Sequence, residues 1–139
     1  MAGKKEPRGL RNCNPGNIRL SKTVWAGQCA KQTDGAFVQF ESMAMGYRAL
    51  CKLLMIYQDK HNLRTIAGVI GRWAPASENN TNSYIRHVTQ LTGYSAQQQL
   101  DLHDAETLKK MASAISKVEN GRDAVVADVE AGVRLALEK

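Results

Sequence analysis

Apolar residues recur at helical spacing through most of the chain after residue 42, with polar residues filling the other faces. This pattern predicts five helices, and short polar residues that can cap a helix precede each of them. The proposed caps are Ser42, Thr65, Thr81 or Asn82, Asp104 and Asp123. The predicted helices cover about 43–59, then 66–73, a third through Leu91 closed by Gly93, a fourth through Val118, and a fifth containing Val126 to Leu137.

The segment before residue 42 has a different pattern, because Gly, Asn and Pro interrupt short β candidates. Asn14-Pro15-Gly16-Asn17 is typical of a turn, and Asp34-Gly35 is a hairpin signal. We therefore expect a small antiparallel β lobe from about 17 to 41. The predicted class is mainly α (α+β), with a flexible basic arm at 1–8 followed by a single domain at 9–139.

Composition narrows the possibilities for function. The chain of 139 residues has a net charge of +6. Such a charge suits an anionic partner, which could be nucleic acid, an anionic membrane surface or the carboxylates of wall peptides. The alternative is that the charge only keeps the protein soluble. The basic residues are scattered, which makes nucleic acid an unlikely partner. No stretch is apolar enough to span a membrane or to act as a secretory signal. We expect synthesis in the bacterial cytoplasm.

The three cysteines, Cys13, Cys29 and Cys51, form an odd set without metal-ligand spacing. We interpret them as reduced thiols, and we expect no metal and no organic cofactor.

The most informative candidate residue is Glu119, which the fourth helix carries in its last turn before Asn120-Gly121 ends it. A carboxyl in this place is half desolvated by the core and half open to a cleft, which suits a general acid. The alternative is a solvated residue before a glycine that ends the helix.

Two further glutamates are candidates for a second catalytic carboxylate. Glu78 lies in a polar loop between two predicted helices, and Glu41 follows Phe40 at the end of the predicted β lobe. Each has an alternative role at a helix start, where polar side chains satisfy exposed backbone N–H groups.

Five residues are candidates for substrate binding. The amide and guanidinium groups of Asn14, Asn17 and Arg19 are suited to sugar hydroxyl, N-acetyl and carboxylate groups, or else they cap the local turn. Trp25 can stack on a sugar ring or belong to the core. For Tyr84 we expect either a place in the lining of the cleft or a place between two packed helices.

A resemblance adds to this picture. The segment 8–19, Arg-Gly-Leu-Arg-Asn-Cys-Asn-Pro-Gly-Asn-Ile-Arg, resembles the opening motif of a family of phage virion and prophage proteins. The resemblance continues through Trp25-Ala26-Gly27, Gly46-Tyr47-Arg48 and Trp73-Ala74-Pro75, and it is close over about residues 8 to 93.

A second resemblance concerns the chemistry. The segment 114–121, Ala-Ile-x-x-Val-Glu-Asn-Gly, is similar to the helix end of lysozyme-like lytic transglycosylases, with Asn120 in place of the usual serine. In related glucosaminidases the segment that resembles 14–19 follows this helix, whereas here it precedes it. A circular permutation explains that order, and it requires Glu119 to lie close to residues 14–19.

Together the resemblances imply a lysozyme-like peptidoglycan hydrolase of phage or prophage origin, of muramidase, lytic transglycosylase or glucosaminidase type. Glu119 would be the acid, assisted by Glu78 or Glu41. Its partners would be peptidoglycan and other virion or secretion-apparatus proteins. It would act in the virion or at the cell wall. A non-catalytic virion or baseplate protein and a nucleic-acid-binding protein are the alternatives.

Overall fold

The computed structural model describes residues 6–76 and 80–138, which contain six helices. The helices are α1 Arg8–Arg11, α2 Met43–His61, α3 Ile66–Trp73, α4 Thr81–Thr92, α5 Ala105–Asn120 and α6 Val126–Leu137. The prediction of a mainly α protein is confirmed. Most of the predicted flexible arm, residues 1–5, lies outside the described residues, and Arg8 begins α1.

Three of the predicted caps are confirmed. The side chains of Ser42, Thr65 and Asp104 each accept a hydrogen bond from a backbone N–H in the first turn of α2, α3 and α5. The other two are wrong, because Asn80 caps α4 and Val125 precedes α6 without a side-chain cap bond. Asp123 instead accepts a 2.6 Å hydrogen bond from Lys117.

The predicted antiparallel β lobe is wrong. Between residues 17 and 41 the structure contains two isolated antiparallel bridges, Arg19 with Phe37 and Gln28 with Phe40, and no strand. The bridges lie in a looped segment that packs against the helices. Ile18, Val38, Phe40 and Ala49 form a small hydrophobic cluster there, next to the larger helical core.

Side chains explain why no ladder forms in this segment, because they take backbone partners that a sheet would use. Asn14 Oδ1 accepts the Ile18 N–H and Asn14 Nδ2 donates to the Val38 carbonyl, at 2.9 Å each, while the Val38 N–H still donates to the Ile18 carbonyl. Asp34 Oδ1 accepts from the N–H groups of Ala36 and Phe37, at 3.1 and 3.0 Å. The polar residues that suggested turns between strands therefore replace part of the backbone pairing, and isolated bridges remain in place of a sheet.

The main core lies between α2 and the later helices. Its largest fully buried members include Tyr47, Leu50 and Leu54 of α2 and Met111 and Ile115 of α5. The Tyr47 hydroxyl and Ser116 Oγ form a buried 2.8 Å hydrogen bond that links α2 to α5. This packing fixes the C-terminal half of α5, which carries Glu119, relative to α2.

No helix within residues 6–76 and 80–138 combines the length and the apolar content that crossing a bilayer requires.

Candidate functional site

Glu119 lies half-buried in the last turn of α5, where the helix ends at Gly121 with a positive φ of 70°. Both of its carboxylate oxygens accept hydrogen bonds from distant parts of the chain. Asn17 Nδ2 donates to Oε1 at 2.7 Å, and the Tyr84 hydroxyl donates to Oε2 at 2.8 Å. The carboxylate is therefore held between α4 and the N-terminal loop, which is the segment 12–42 between α1 and α2.

The loop presents Asn17 through a turn that Asn14 stabilises from inside. Asn14 is fully buried, and its Oδ1 accepts the Ile18 N–H at 2.9 Å while its backbone carbonyl accepts the Asn17 N–H at 3.0 Å. Asn17 adopts a left-handed φ of 52°, which asparagine tolerates better than most residues. The turn chemistry thus fixes the direction from which Asn17 reaches Glu119.

Asn120 fastens the same turn to α5. Its Nδ2 donates to the carbonyl of Pro15 at 3.0 Å and to that of Ser116 at 2.9 Å, and the side chain is buried. Gly9 of α1 lies against this junction, since an added Cβ there would be 2.5 Å from Asn120 Oδ1 and 2.9 Å from Asn17 Oδ1. A side chain at residue 9 would separate the loop from the helix end.

Tyr84 reaches Glu119 from α4 and is only 6% exposed. Burial, together with the nearby charge of Glu119 and their hydrogen bond, raises the pKa of Tyr84 well above its ordinary value. The phenol therefore stays protonated around neutral pH and is able to donate to the carboxylate.

Glu119 opens onto a cleft of about 470 Å³ between the loop and the helices α2 and α3. Aromatic side chains form much of its lining, and Trp73 lies against the turn so closely that a Cβ on Gly16 would be 2.7 Å from the indole. The aromatic and polar side chains of the lining include Asn17, Arg19, Trp25, Phe37, Tyr57, Arg72, Trp73 and Glu119. A mixture of aromatic faces and hydrogen-bonding groups is well suited to a saccharide.

Comparison with known proteins identifies a phage relative. No family model matches the chain. The chain is 38% identical over 117 residues to "Protein P5" of Pseudoalteromonas phage PM2, and the aligned part covers 82% of this chain and 71% of that protein. The chain belongs to the protein P5 family. The predicted phage origin is thereby confirmed, and the resemblance of segment 8–19 to a virion motif stays a prediction.

In this P5-family chain, the structure brings together part of the predicted site. Asn17, Arg19, Trp25 and Glu119 line the cleft, and Tyr84 contacts Glu119. Asn14 lies outside the lining, and its side chain holds the turn.

Of the two candidates for a second catalytic carboxylate, the structure describes Glu41 but not Glu78. Glu41 is exposed and does not line the cleft, and its backbone N–H donates to Gly27 at 2.8 Å. Glu78 lies outside the described residues. Within residues 6–76 and 80–138, no group of three His, Cys, Asp or Glu side chains is placed to hold a metal ion.

Sequence reasoning overlooked Arg72 as a lining residue and Asn120 as the residue that joins α5 to the loop. Arg72 could have been found from its place in the last turn of α3, one residue before Trp73. Neither helical periodicity nor turn chemistry pairs Asn120 with Pro15, because 105 positions separate them.

Proposed function

We propose that this P5-family chain is a phage virion protein that cleaves the glycan strand of bacterial peptidoglycan, with Glu119 as general acid. The observation that carries the proposal is the placement of Glu119, whose two oxygens are held by Asn17 and Tyr84 at the edge of an aromatic cleft. The lysozyme-like helix end that precedes Gly121 supports the same reaction class.

In the proposed reaction the protonated Glu119 gives its proton to the glycosidic oxygen as the bond from that oxygen to C1 breaks. This bond breaks through an oxocarbenium-like transition state, and the oxygen of water or of an internal hydroxyl forms the new bond to C1. The attacking group loses one proton, which the now ionised Glu119 accepts, so that the acid is restored. A hydroxyl can both donate and accept, so Tyr84 can turn its hydrogen away and accept from the protonated carboxyl. Tyr84 is in this way a positioning residue in both protonation states.

The position of the loop supports the proposed circular permutation. The rearranged order requires the segment 14–19 to lie beside the glutamate, and Asn17 and Pro15 contact Glu119 and Asn120 respectively. The second carboxylate, if the reaction uses one, is proposed to be Glu78 or Glu41. Delivery to the wall would occur in the virion, by a secretion apparatus or at lysis.

The test is release of soluble muropeptides from purified peptidoglycan by the unchanged protein and by Glu119→Gln. We expect the substitution to lower the rate by about 10²- to 10⁴-fold, the range that general acid–base groups contribute. Glu106→Gln is the matched control, because Glu106 lies exposed in the first turn of the same helix. It should keep the original rate.

Full activity in a folded Glu119→Gln protein would contradict the proposed role and direct attention to Glu78 or Glu41. Inactivity of the unchanged protein on several wall types would reject the enzymatic proposal altogether.

A second candidate is a non-catalytic virion component with the same fold. It is favoured by membership of the phage P5 family and by the lining of the cleft, where Glu119 is the single carboxylate among the described residues. In that case Glu119 serves to join the loop to α4. Mass spectrometry of purified virions would find the protein, while muropeptide release would not occur.

A further inference from the structure

Two side-chain oxygens at the junction between the loop and α5 are buried without a hydrogen-bond partner among the described residues. They are Oδ1 of Asn17 and Oδ1 of Asn120. The nitrogen of each amide is used, since Asn17 Nδ2 donates to Glu119 and Asn120 Nδ2 donates to two backbone carbonyls. A buried acceptor without a donor costs free energy, so the two oxygens require an explanation.

The two oxygens face the same point beside Gly9. A Cβ added to Gly9 would lie 2.5 Å from Asn120 Oδ1 and 2.9 Å from Asn17 Oδ1, and the backbone carbonyl oxygen of Asn14 would be 2.8 Å away. The group that points at these oxygens is a Gly9 Cα–H, which is a weak donor. Three acceptors therefore meet here, and an N–H in the place of Asn17 Oδ1 would have acceptors within reach.

A half turn of the Asn17 amide would supply that N–H. Such a turn about the Cβ–Cγ bond exchanges Oδ1 with Nδ2, which are similar in size, and leaves the rest of the side chain in place. Nδ2 would then face the oxygens of Asn120 and Asn14, and Oδ1 would face Glu119 Oε1, which is 2.7 Å from Nδ2 in the structure. Two oxygens at such a distance need a proton between them, so the turned amide requires a protonated Glu119.

We propose that Asn17 is a positioning residue with two amide orientations, and that the turned orientation stabilises Glu119 in its protonated form. A proton from solvent binds Oε1, whose O–H donates to Asn17 Oδ1, while the Tyr84 hydroxyl keeps donating to Oε2. Asn17 Nδ2 then donates to Asn120 Oδ1 or to the Asn14 carbonyl. The turned state thus gives a partner to Asn17 Oδ1, which the ionised state leaves without one.

As a statement about catalysis the inference rests on the proposed function, because a general acid has to hold its proton until the substrate arrives. The O–H of Glu119 leaves Asn17 when a glycosidic oxygen takes its place as acceptor. Once the proton has been transferred, the amide turns back and its N–H stabilises the carboxylate. Asn17 thereby serves both charge states of Glu119.

Other groups near Glu119 act on the same protonation equilibrium. From α1, Gly9 meets the junction and carries no charge. Among the described residues, the charged and titratable side chains around Glu119 are Tyr84 of α4, Tyr57 of α2, Arg72 of α3, Arg19 of the loop and, on α5 itself, Lys117 with its partner Asp123. The arginine charges and the Tyr84 hydroxyl favour the carboxylate. The test therefore compares variants that leave all these groups unchanged.

The first measurement observes the amide in the unchanged protein by NMR, with the ¹³C shift of the Glu119 carboxyl reporting its protonation. In the carboxylate form the Asn17 Nδ2 hydrogens point at Glu119. In the protonated form they should lie beside Gly9, so the nuclear Overhauser effect between them and the Gly9 Cα hydrogens should become several times stronger. An effect of unchanged intensity across the titration would overturn the inference.

The second measurement uses Asn17→Gly, since glycine accepts the left-handed φ of 52° that residue 17 adopts. If Asn17 only donated to the carboxylate, its removal would raise the pH at which Glu119 gains its proton. The inference predicts the opposite sign. The proton affinity of Glu119 should fall by about three- to tenfold, which moves the midpoint of its titration down by about 0.5 to 1 pH unit.

Asn62→Gly is the matched control, because Asn62 is an exposed asparagine with a φ of 54° at the end of α2. It should leave the titration of Glu119 unchanged. If the proposed reaction holds, the upper pH limit of muropeptide release should move down with the midpoint in Asn17→Gly. A merely structural role of Asn17 would not shift this limit to lower pH.

A midpoint that rises or stays in a folded Asn17→Gly protein would overturn the inference even if the unchanged protein cleaves peptidoglycan. Conversely, the expected shift in a protein that cleaves no wall would support the two orientations of Asn17 and reject the proposed reaction. Thermal melting of each variant shows whether the fold is retained.

Discussion

At the scale of single residues, two hydrogen bonds hold the side chain of Glu119 in one orientation. Asn17 and Tyr84 occupy one oxygen each, so the carboxylate cannot rotate without breaking a hydrogen bond. The two contacts come from different parts of the chain, so together they fix the orientation of the side chain. Tyr84 is the better probe, since it is buried and its ring can remain when its hydroxyl is removed.

The change Tyr84→Phe should lower the free energy of unfolding by about 1–3 kcal/mol, because the hydrogen bond to Glu119 Oε2 is lost and this oxygen is left without its partner. If the proposed reaction holds, muropeptide release should also fall, since Glu119 Oε2 loses the group that positions it. Urea unfolding measures the first effect.

Tyr94→Phe provides the matched control, because the Tyr94 ring lies beside Lys110 rather than Glu119. A double-mutant cycle with Glu119→Gln isolates the pair, and a coupling energy near zero would contradict the importance of the contact.

Sequence predicted Glu119 and Asn17 as site residues but not their contact with each other. The helix pattern and Gly121 located Glu119 at a helix end, whereas Asn17 was singled out by its turn and motif. Their hydrogen bond spans 102 positions, and neither helical periodicity nor turn chemistry carries information over such a distance. Only the proposed permutation placed the two segments together.

At the scale of secondary-structure elements, the five helices after residue 42 were predictable because local chemistry determines them, whereas the short α1 was not predicted. α3 has the predicted limits, and glycines in the left-handed conformation end α4 and α5 at Gly93 and Gly121 as expected. The β lobe was not predictable in the same way, since whether short extended segments pair depends on which groups take their backbone hydrogen bonds. Here Asn14 and Asp34 take several of them.

The close contact between α2 and α6 depends on Gly132. A Cβ at this position would be 2.3 Å from Tyr47 Cβ and 2.9 Å from the backbone nitrogen of Arg48, so the helices would have to move apart. We expect Gly132→Ala to lower the free energy of unfolding by about 1–3 kcal/mol, as overpacking of a core does.

Gly71→Ala is the matched control for this change. Gly71 is an exposed glycine within α3, and an added Cβ meets nothing within 4 Å. Alanine there should stabilise the protein by about 0.5–1 kcal/mol, because alanine favours a helix more than glycine does. Destabilisation of similar size at both positions would indicate a cause other than the helix contact.

At the scale of the whole molecule, an ion pair fastens the start of the described chain to the loop segment. Arg8 Nε donates to Asp34 Oδ2 at 2.8 Å, and Asn12 donates to the same oxygen at 3.0 Å. Arg8 also lies over the Phe37 ring, at 4.6 Å from its centroid. The hydrogen bonds from Arg8, from the Phe37 N–H and from Asn12 hold the pKa of Asp34 well below its ordinary value of 3.8.

A depressed pKa of this kind gives a definite pH dependence. The stabilisation is fully present above about pH 4, where the unfolded aspartate is also ionised, and it is lost progressively as the pH falls toward the folded-state pKa. The difference in free energy of unfolding between the parent and Asp34→Asn should therefore be constant from about pH 5 to 8 and shrink below about pH 4.

Unfolding by urea at a series of pH values checks this expectation. Glu138→Gln, at an exposed glutamate after α6, is the control and should give a difference that is small throughout. A parent-to-Asp34→Asn difference that grows on acidification would contradict the assignment.

The hydrogen bond from Asn17 to Glu119 has a consequence for the order of events during synthesis. One half of the junction leaves the ribosome about a hundred residues before the other, since 102 positions separate them. Bringing the two ends of so large a loop together costs conformational entropy, and contacts between neighbouring residues do not offset that cost. A nascent chain therefore has no assembled site while it is being made, and whatever the cleft does begins only once the chain has been translated through α5.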